Sequence, residues 1–268
     1  MQKKKIALLD TDFIFKTTIS RSETDYLIDK VLLLPGYQFC CHKHILIELS
    51  RHTPDAQAWM MAKIQSGEII CYSDSDILDE LEKVYGSSCC MGYLHFLREA
   101  CEAFGHRHFS NYYSSLLNID YTQSSKQDFL TDLSAADNSV GRQNSLGEIK
   151  LYVLIQVLSF INGQQMYFFC SDDQNARTGI IQFPNVCCIS VLSAFVKLKD
   201  EIKLTKSLAQ PYYSSWLAFC TKHKQTDFRV LDADHARKFC RVPCSQVFQD
   251  LYNDRFIVLA DGNLKYKL

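Results

Sequence analysis

Three short apolar runs in this chain show no alternation of apolar and polar residues, and this feature restricts the fold most. They are Lys5 to Leu9, Met166 to Cys170 and Val186 to Val191. A strand that is apolar on both faces must be covered on both faces, which is the situation of a parallel sheet between two layers of helices. Glu68 to Tyr72, bounded by Gly67 and by Ser73 and Asp74, adds another strand.

Helical stretches separate the strands. Tyr26 to Leu34 is a helical or mixed run closed by Pro35 and Gly36. His44 to Arg51 and Pro54 to Gln65 follow, and Ser75 or Asp76 is placed to cap a helix that runs to Tyr85. Cys89 to Asp120 reads as mostly helical, Ser124 to Asp137 as a helix and Ser139 to Ser145 as a loop. Glu148 to Ile161 is a long apolar helix that Asn162 and Gly163 are suited to end. A further helix runs from Leu192 to about Lys199.

The expected fold is α/β, a Rossmann-like parallel sheet in a unit spanning residues 1–204, with a helical insertion over about 52–140. Residues 205–268 read as a small C-terminal α+β appendage. It ends in a β-hairpin, because Asp261–Gly262 between the runs FIVLA and NLKYK is a strong turn signal.

A chain of 268 residues, 47% of them hydrophobic, can bury one sizeable core. The formal net charge of -1 argues against gripping long nucleic acid by charge alone, so such a substrate would have to meet a local basic patch. Twelve cysteines, three pairs of them adjacent in apolar segments, read as reduced core residues of a cytoplasmic protein. The basic start, Met1 to Lys5, is followed by too short an apolar run for a secretory signal, and no run is long enough to span a membrane.

Acids fall where an α/β sheet would gather them. Asp10 ends the first strand, with Asp12 close by. Glu48 sits inside an otherwise apolar helix, Glu148 in the first turn of the most apolar helix, and Asp172 and Asp173 just past a buried strand. Ligands of open α/β sheets bind outside the carboxyl ends of the strands. Carboxylates gathered there raise one another's pKa, and a divalent cation removes the repulsion. Oxygen-only donors favour Mg²⁺ or Mn²⁺ over zinc, and such ions stabilise charge developing on a phosphate. Each acid also has an ordinary reading: Asp10 as a cap, Glu48 as a solvated residue, Glu148 as a complement to the helix dipole, the Asp pair as loop acids.

Taken in order, these residues resemble the PIN-domain family of nucleases, including the PIN-like toxins of bacterial toxin–antitoxin pairs. The match consists of Asp10 on the first strand, Glu48 in an early helix, Gly147–Glu148 opening a later helix, and Ser171, Asp172, Asp173 and Arg177 after a late strand. It spans roughly residues 5–200. The resemblance implies a metal-dependent ribonuclease, with RNA favoured over DNA. Asp10, Glu48, Glu148 and Asp173 would hold Mg²⁺ or Mn²⁺, Asp172 would assist, and metal-bound water would attack phosphorus. Ser171 would orient an acid or contact substrate, and Arg177 would neutralise phosphate. The family also implies a neutralising protein partner and a homodimer. Ser171 stands where the family often has Thr, and the stretch between Glu48 and Glu148 is long for a small toxin.

Other readings compete. Asp10 and Asp12 in LLDTDFIF offer the D-x-D of a haloacid-dehalogenase-like phosphatase, but Phe13 and Ile14 replace the expected Gly-Thr, and Glu48 and Glu148 are left without roles. A PIN-like scaffold that binds without cutting is a third reading. His42, Lys43, His44, Arg51 and His52 surround Glu48 and could form a basic lip near a phosphate, His44 among them contacting substrate, although a solvated helix face is the simpler reading. Cys220, His223, His235, Cys240 and Cys244 invite a zinc site, but their gaps match no standard finger. Phe104, Phe109, Tyr112 and Tyr113 could stack bases, yet aromatics near helical spacing are core residues first.

Overall fold

Ile6, Ala7, Leu8 and Leu9 are all buried, so the first apolar run has no solvent face and takes the centre of the sheet. In the computed structural model, which describes residues 4–104, 109–122, 124–140, 145–163, 167–234 and 238–268, that strand is β1 (Lys5–Leu9). It is followed by α1 (Thr11–Ile19), α2 (Leu27–Leu32), β2 (Tyr37–His42), α3 (Lys43–His52), α4 (Pro54–Gln65) and β3 (Ile69–Tyr72). Then come α5 (Asp74–Tyr85), α6 (Cys89–Phe104), α7 (Lys126–Ser139) and α8 (Leu146–Asn162). β4 (Tyr167–Cys170), α9 (Gln174–Ile180), β5 (Val186–Ile189) and α10 (Val191–Ile202) complete this part.

The five strands lie in the order β3-β2-β1-β4-β5, and every pair is parallel. This is the Rossmann-like α/β architecture expected from the buried runs. The strand order reverses direction between β1 and β4, so the loops after these two strands diverge and leave a crevice. Ser139 to Ser145, expected as a loop, is described only at its ends: Ser139 closes α7 and Ser145 precedes α8, while 141–144 lie outside the described residues. Met166, expected to start β4, also lies outside them.

β2 and α1 have no counterpart in the sequence reading. β2 carries Gln38 and His42 among its six residues. Only its place between β1 and β3 buries Phe39, Cys40 and Cys41. The span 52–140, read as an insertion, contains β3, an edge strand of the sheet, and α4, the crossover that reaches it. The helical addition therefore begins after β3. Gly163 ends α8 as expected, at φ 57° with its N–H bonded to the Ser159 carbonyl.

The C-terminal part is α11 (Lys206–Lys222), β6 (Asp227–Leu231), β7 (Phe239–Pro243), α12 (Cys244–Tyr252), β8 (Phe256–Val258) and β9 (Leu264–Tyr266). Its four strands form a second sheet, ordered β7-β6-β9-β8, and Asp261–Gly262 forms the turn between β8 and β9, as the sequence indicates. That turn docks on the main sheet: Cys188 N–H donates to the Ala260 carbonyl at 2.6 Å, and Ser190 Oγ donates to the Gly262 carbonyl at 2.9 Å. A Cβ on Gly262 would lie 3.1 Å from the Cys188 carbonyl oxygen, and its φ of 78° favours glycine as well.

All the cysteines are free thiols. Cys220 and Cys244 are buried, and burial pushes the Cys220 thiol up to about 12, which keeps it protonated. His235 of the zinc reading lies outside the described residues. Phe109 and Tyr113 are buried, and Phe104 and Tyr112 pack against the core. These rings line the interior rather than a stacking platform. No helix is long and apolar enough to cross a membrane among the described residues.

Candidate active site

Strand register brings Asp10 to its partner. Leu9 pairs with Cys170, and the ladder continues one step as Asp10 N–H donates to the Cys170 carbonyl at 3.0 Å. Asp10 and Ser171 are thus neighbours, although 161 residues separate them, and Ser171 Oγ donates to Asp10 Oδ2 at 2.7 Å. Asp10 stands at the N-cap of α1 yet makes no side-chain cap bond. Its carboxylate turns to the crevice between β1 and β4 and is 2% exposed. Ser171 is fully buried, so it orients an acid.

Glu48 reaches the same crevice from α3. Thr11 Oγ donates to its carboxylate, and His44 Nε2 lies 3.6 Å from its Oε1. Gly147 is the floor beneath it: a Cβ there would stand 2.7 Å from Glu48 Oε2 and 2.9 Å from Oε1. The Gly-Glu pair therefore has a physical reason, the first residue clearing space for one acid and the second supplying another. Gly147→Ala would gain helix propensity, roughly 1 kcal/mol, and displace the Glu48 carboxylate. We expect this variant to keep its thermal stability within a few degrees while any cleavage activity falls roughly 10- to 100-fold. Melting and cleavage measured on the same preparation check both halves.

The acids act on one another. Burial pushes Asp10 well above the usual carboxylate range, Glu148 adds to it, the Ser171 hydrogen bond opposes it, and Glu48 and Asp12 raise it further. Glu148, in the first turn of α8, is pushed up to about 7, first by burial and then by Glu48, Asp173 and Asp12, against a backbone N–H bond that lowers it. Burial also raises Asp12; Lys16 opposes this, and Asp172 and Asp173 reinforce it.

Asp172 and Asp173 differ in their ties. Asp173 caps α9, accepting from the N–H groups of Asn175 at 2.6 Å and Ala176 at 3.3 Å. Asp172 Oδ1 accepts from Val191 N–H at 3.1 Å, at the start of α10, and its Oδ2 accepts from Lys16 Nζ at 2.8 Å. Lys16 also donates to Asp12 Oδ2 at 2.9 Å. This lysine bridge was not anticipated, although the Asp12-to-Lys16 spacing of four on a helix is a signal for it.

Arg177 was expected near phosphate. It is instead 6% exposed and holds the C-terminal turn: Nε donates to the Asp261 carbonyl at 2.8 Å, Nη1 to the Ser171 carbonyl at 3.0 Å and Nη2 to Asn263 Oδ1 at 3.3 Å. The guanidinium thus ties the C-terminal hairpin to the strand end that bears Ser171. A planar fork with several donors suits such carbonyls as well as it suits phosphate.

The donor chemistry fits a hard divalent cation: oxygen atoms only, on carboxylates that raise one another's pKa. Among the described residues, however, no three His, Cys, Asp or Glu side chains converge closely enough to hold a metal ion as they stand. Thr11, Lys16 and two helix N-termini hold the carboxylates of Glu48, Asp12, Asp172 and Asp173 in their places.

Sequence reading also missed a second polar cluster beside the crevice. Lys150, fully buried in α8, lies 3.0 Å from Asp74 Oδ1 and 2.9 Å from Asp137 Oδ2. Tyr93 donates to Asp74, and Tyr113 donates to Asp137 Oδ1 at 2.7 Å. A lysine in the run GEIKLYVLI gives a local clue, but its partners come from α5 and α7. Compared with family models, curated proteins and solved structures, the chain matches none.

Proposed function

We propose that the chain is a PIN-like, metal-dependent nuclease that hydrolyses phosphodiester bonds, RNA before DNA. The observation that carries this reading is the grouping of Asp10, Glu48 and Glu148 at the β1–β4 crevice, from three elements, near enough that Glu48 and Glu148 each raise Asp10 and Glu48 raises Glu148. The PIN-like motif order in the sequence supports it. Asp10, Glu48 and Glu148, with Asp173, would hold Mg²⁺ or Mn²⁺, which when bound would offset the carboxylate repulsion and the charge developing on phosphate. Ser171 fixes the Asp10 rotamer. Glu148, near 7 before any cation binds, can exchange a proton at neutral pH. His44 is pushed down to about 4, by burial first and then by Lys150, His42 and Arg51, with Asp74 opposing, so it stands neutral beside Glu48 at pH 7.

The test is cleavage of labelled single-stranded RNA and DNA in Mn²⁺, Mg²⁺ or EDTA. Asp10→Asn and Glu148→Gln are each expected to lower metal-dependent cutting by at least about 100-fold. A second reading, a PIN-like scaffold that binds without cutting, is favoured by the spacing of the carboxylates, which does not close on one point among the described residues. Titration calorimetry separates the two: a wild type that neither cuts nor binds Mn²⁺ leaves the scaffold.

A further inference from the structure

A cavity of about 680 Å³ opens next to the acids, over the ends of β2 and β3. Its exposed wall carries Lys43 and Arg51, and among the described residues neither has a carboxylate within ion-pairing distance. Its inner wall presents Asp74 and Asp137, which the buried Lys150 neutralises in part. Asp74 Oδ1 is occupied by Lys150 and Tyr93, whereas Oδ2 accepts no hydrogen bond from a described residue. His42, 2% exposed, lines the cavity as well; its Nε2 lies 3.4 Å from Asp74 Oδ1. Ile47, Leu130 and Leu146 supply apolar surface between the two walls.

This mixture suits one class of ligand. Unpaired cations at an entrance attract an anion. A phosphate alone would leave most of such a volume empty, while cavities of several hundred Å³ hold ligands of nucleotide size. Apolar side chains receive the faces of a base, and a carboxylate oxygen with a free lone pair accepts from the N–H donors on its edge. The position is also suited to a strand in the crevice. His44 lines the cavity and touches Glu48 at 3.6 Å, and Leu146 lines it two residues before Glu148.

We propose that this cavity holds one nucleotide of a single-stranded nucleic acid, with its phosphate against Lys43 and Arg51, its base beside Ile47 and Leu146, and the base's N–H edge toward Asp74. The assignment rests on the nuclease reading for what happens next door, but binding in the cavity needs no metal. A strand seated here presents its neighbouring phosphodiester to Asp10, Glu48 and Glu148.

Titration calorimetry on the full chain in EDTA, with guanosine 5′-monophosphate and with inorganic phosphate, tests it. Guanine is chosen because it offers a ring N–H and an amino group on one edge. The nucleotide is expected to bind at least about tenfold more tightly than phosphate, and Lys43→Gln with Arg51→Gln to weaken it by about tenfold or more. The same two charges removed elsewhere, Lys83→Gln with Arg98→Gln, should leave affinity unchanged. Asp74→Asn, checked by melting for an intact fold, should weaken the nucleotide and spare phosphate. No nucleotide binding at about 1 mM, equal affinity for phosphate, or an unchanged Lys43/Arg51 variant would each overturn the proposal. A protein that cuts RNA with Mn²⁺ yet shows no such binding keeps the nuclease reading and loses this one; binding without cutting does the reverse.

Discussion

Lys150→Met is expected to cost roughly 3–5 kcal/mol of folding stability, measured by urea denaturation at pH 7. Methionine nearly matches the lysine stem in volume, so the loss is electrostatic. Lys150 has its ammonium between Asp74 and Asp137, and its side chain is 1% exposed. Burial works to lower the Lys150 pKa, but these two carboxylates overcome it and raise it. Burial works to raise Asp74, but Lys150, then His42 and Tyr93, hold it well below the usual carboxylate range. A carboxyl depressed by folding stabilises the fold above its unfolded pKa, near 3.9, and that contribution disappears as pH falls through the folded value. The wild type therefore loses this stabilisation only in strong acid. In Lys150→Met the sign reverses, because the half-buried Asp74 carboxylate without its cation becomes more tolerable once protonated. The variant should gain stability relative to wild type between pH 7 and pH 4. Adding Asp74→Asn and Asp137→Asn to Lys150→Met should recover part of the loss. A single variant within 1 kcal/mol of wild type, roughly a surface-substitution effect, would show that the cluster is not the tie described here.

The second large effect concerns Glu148 without and with a cation. Its folded pKa of about 7 lies above the ordinary value for a glutamate, so folding favours its protonated form. The resulting stabilisation is fully present below the unfolded pKa, near 4.3, and is lost as pH rises through about 7. Asp10, shifted in the same direction, adds to this trend. In EDTA the melting temperature should therefore fall between pH 5.5 and pH 8. Glu148→Gln removes the charge and should melt several degrees above wild type at pH 8, a gain on the order of 2 kcal/mol. Mn²⁺ should reverse the ranking. Saturating it to about 100 times its dissociation constant adds about 2.7 kcal/mol to the wild type, chiefly at pH 8, and should leave Glu148→Gln nearly unmoved. A site that stabilises the protein when its acid is removed, and binds a cation only when the acid is present, is built for the cation rather than for the fold. A wild-type melting curve that ignores both pH and Mn²⁺ would remove the electrostatic basis of the nuclease reading.

Legibility varied by element, for local reasons. Apart from Lys5 at its start, β1 is apolar and buried, and β4 and β5 are apolar and nearly all buried, so their composition alone marks them. β2, with Gln38 and His42, does not; its neighbours make it a strand. Gly163 and Asp261–Gly262 could be read because left-handed backbone has a residue signature. Arg177 could not be read correctly, because an arginine in SDDQNAR suits phosphate and carbonyl equally, and only the docking of the C-terminal turn supplied the carbonyls. The same holds for the basic lip. Lys43, His44 and Arg51 are near one another in sequence, but the cavity they face is closed by Asp74, Ser134 and Asp137, from α5 and α7.

By itself, then, the sequence determined the α/β class, the parallel sheet, the C-terminal hairpin and the candidate acids at the strand ends. Those properties depend on residues within a few positions of one another: apolar runs, turn residues, and an acid following a strand. Tertiary structure alone decided which acids face one another and what neutralises them. Asp10 meets Ser171 across 161 positions because β1 and β4 pair in register. Lys16 bridges Asp12 and Asp172, and Lys150 holds Asp74 and Asp137. Coulomb interaction and desolvation depend on distance and burial in space, and neither quantity is a function of position along the chain.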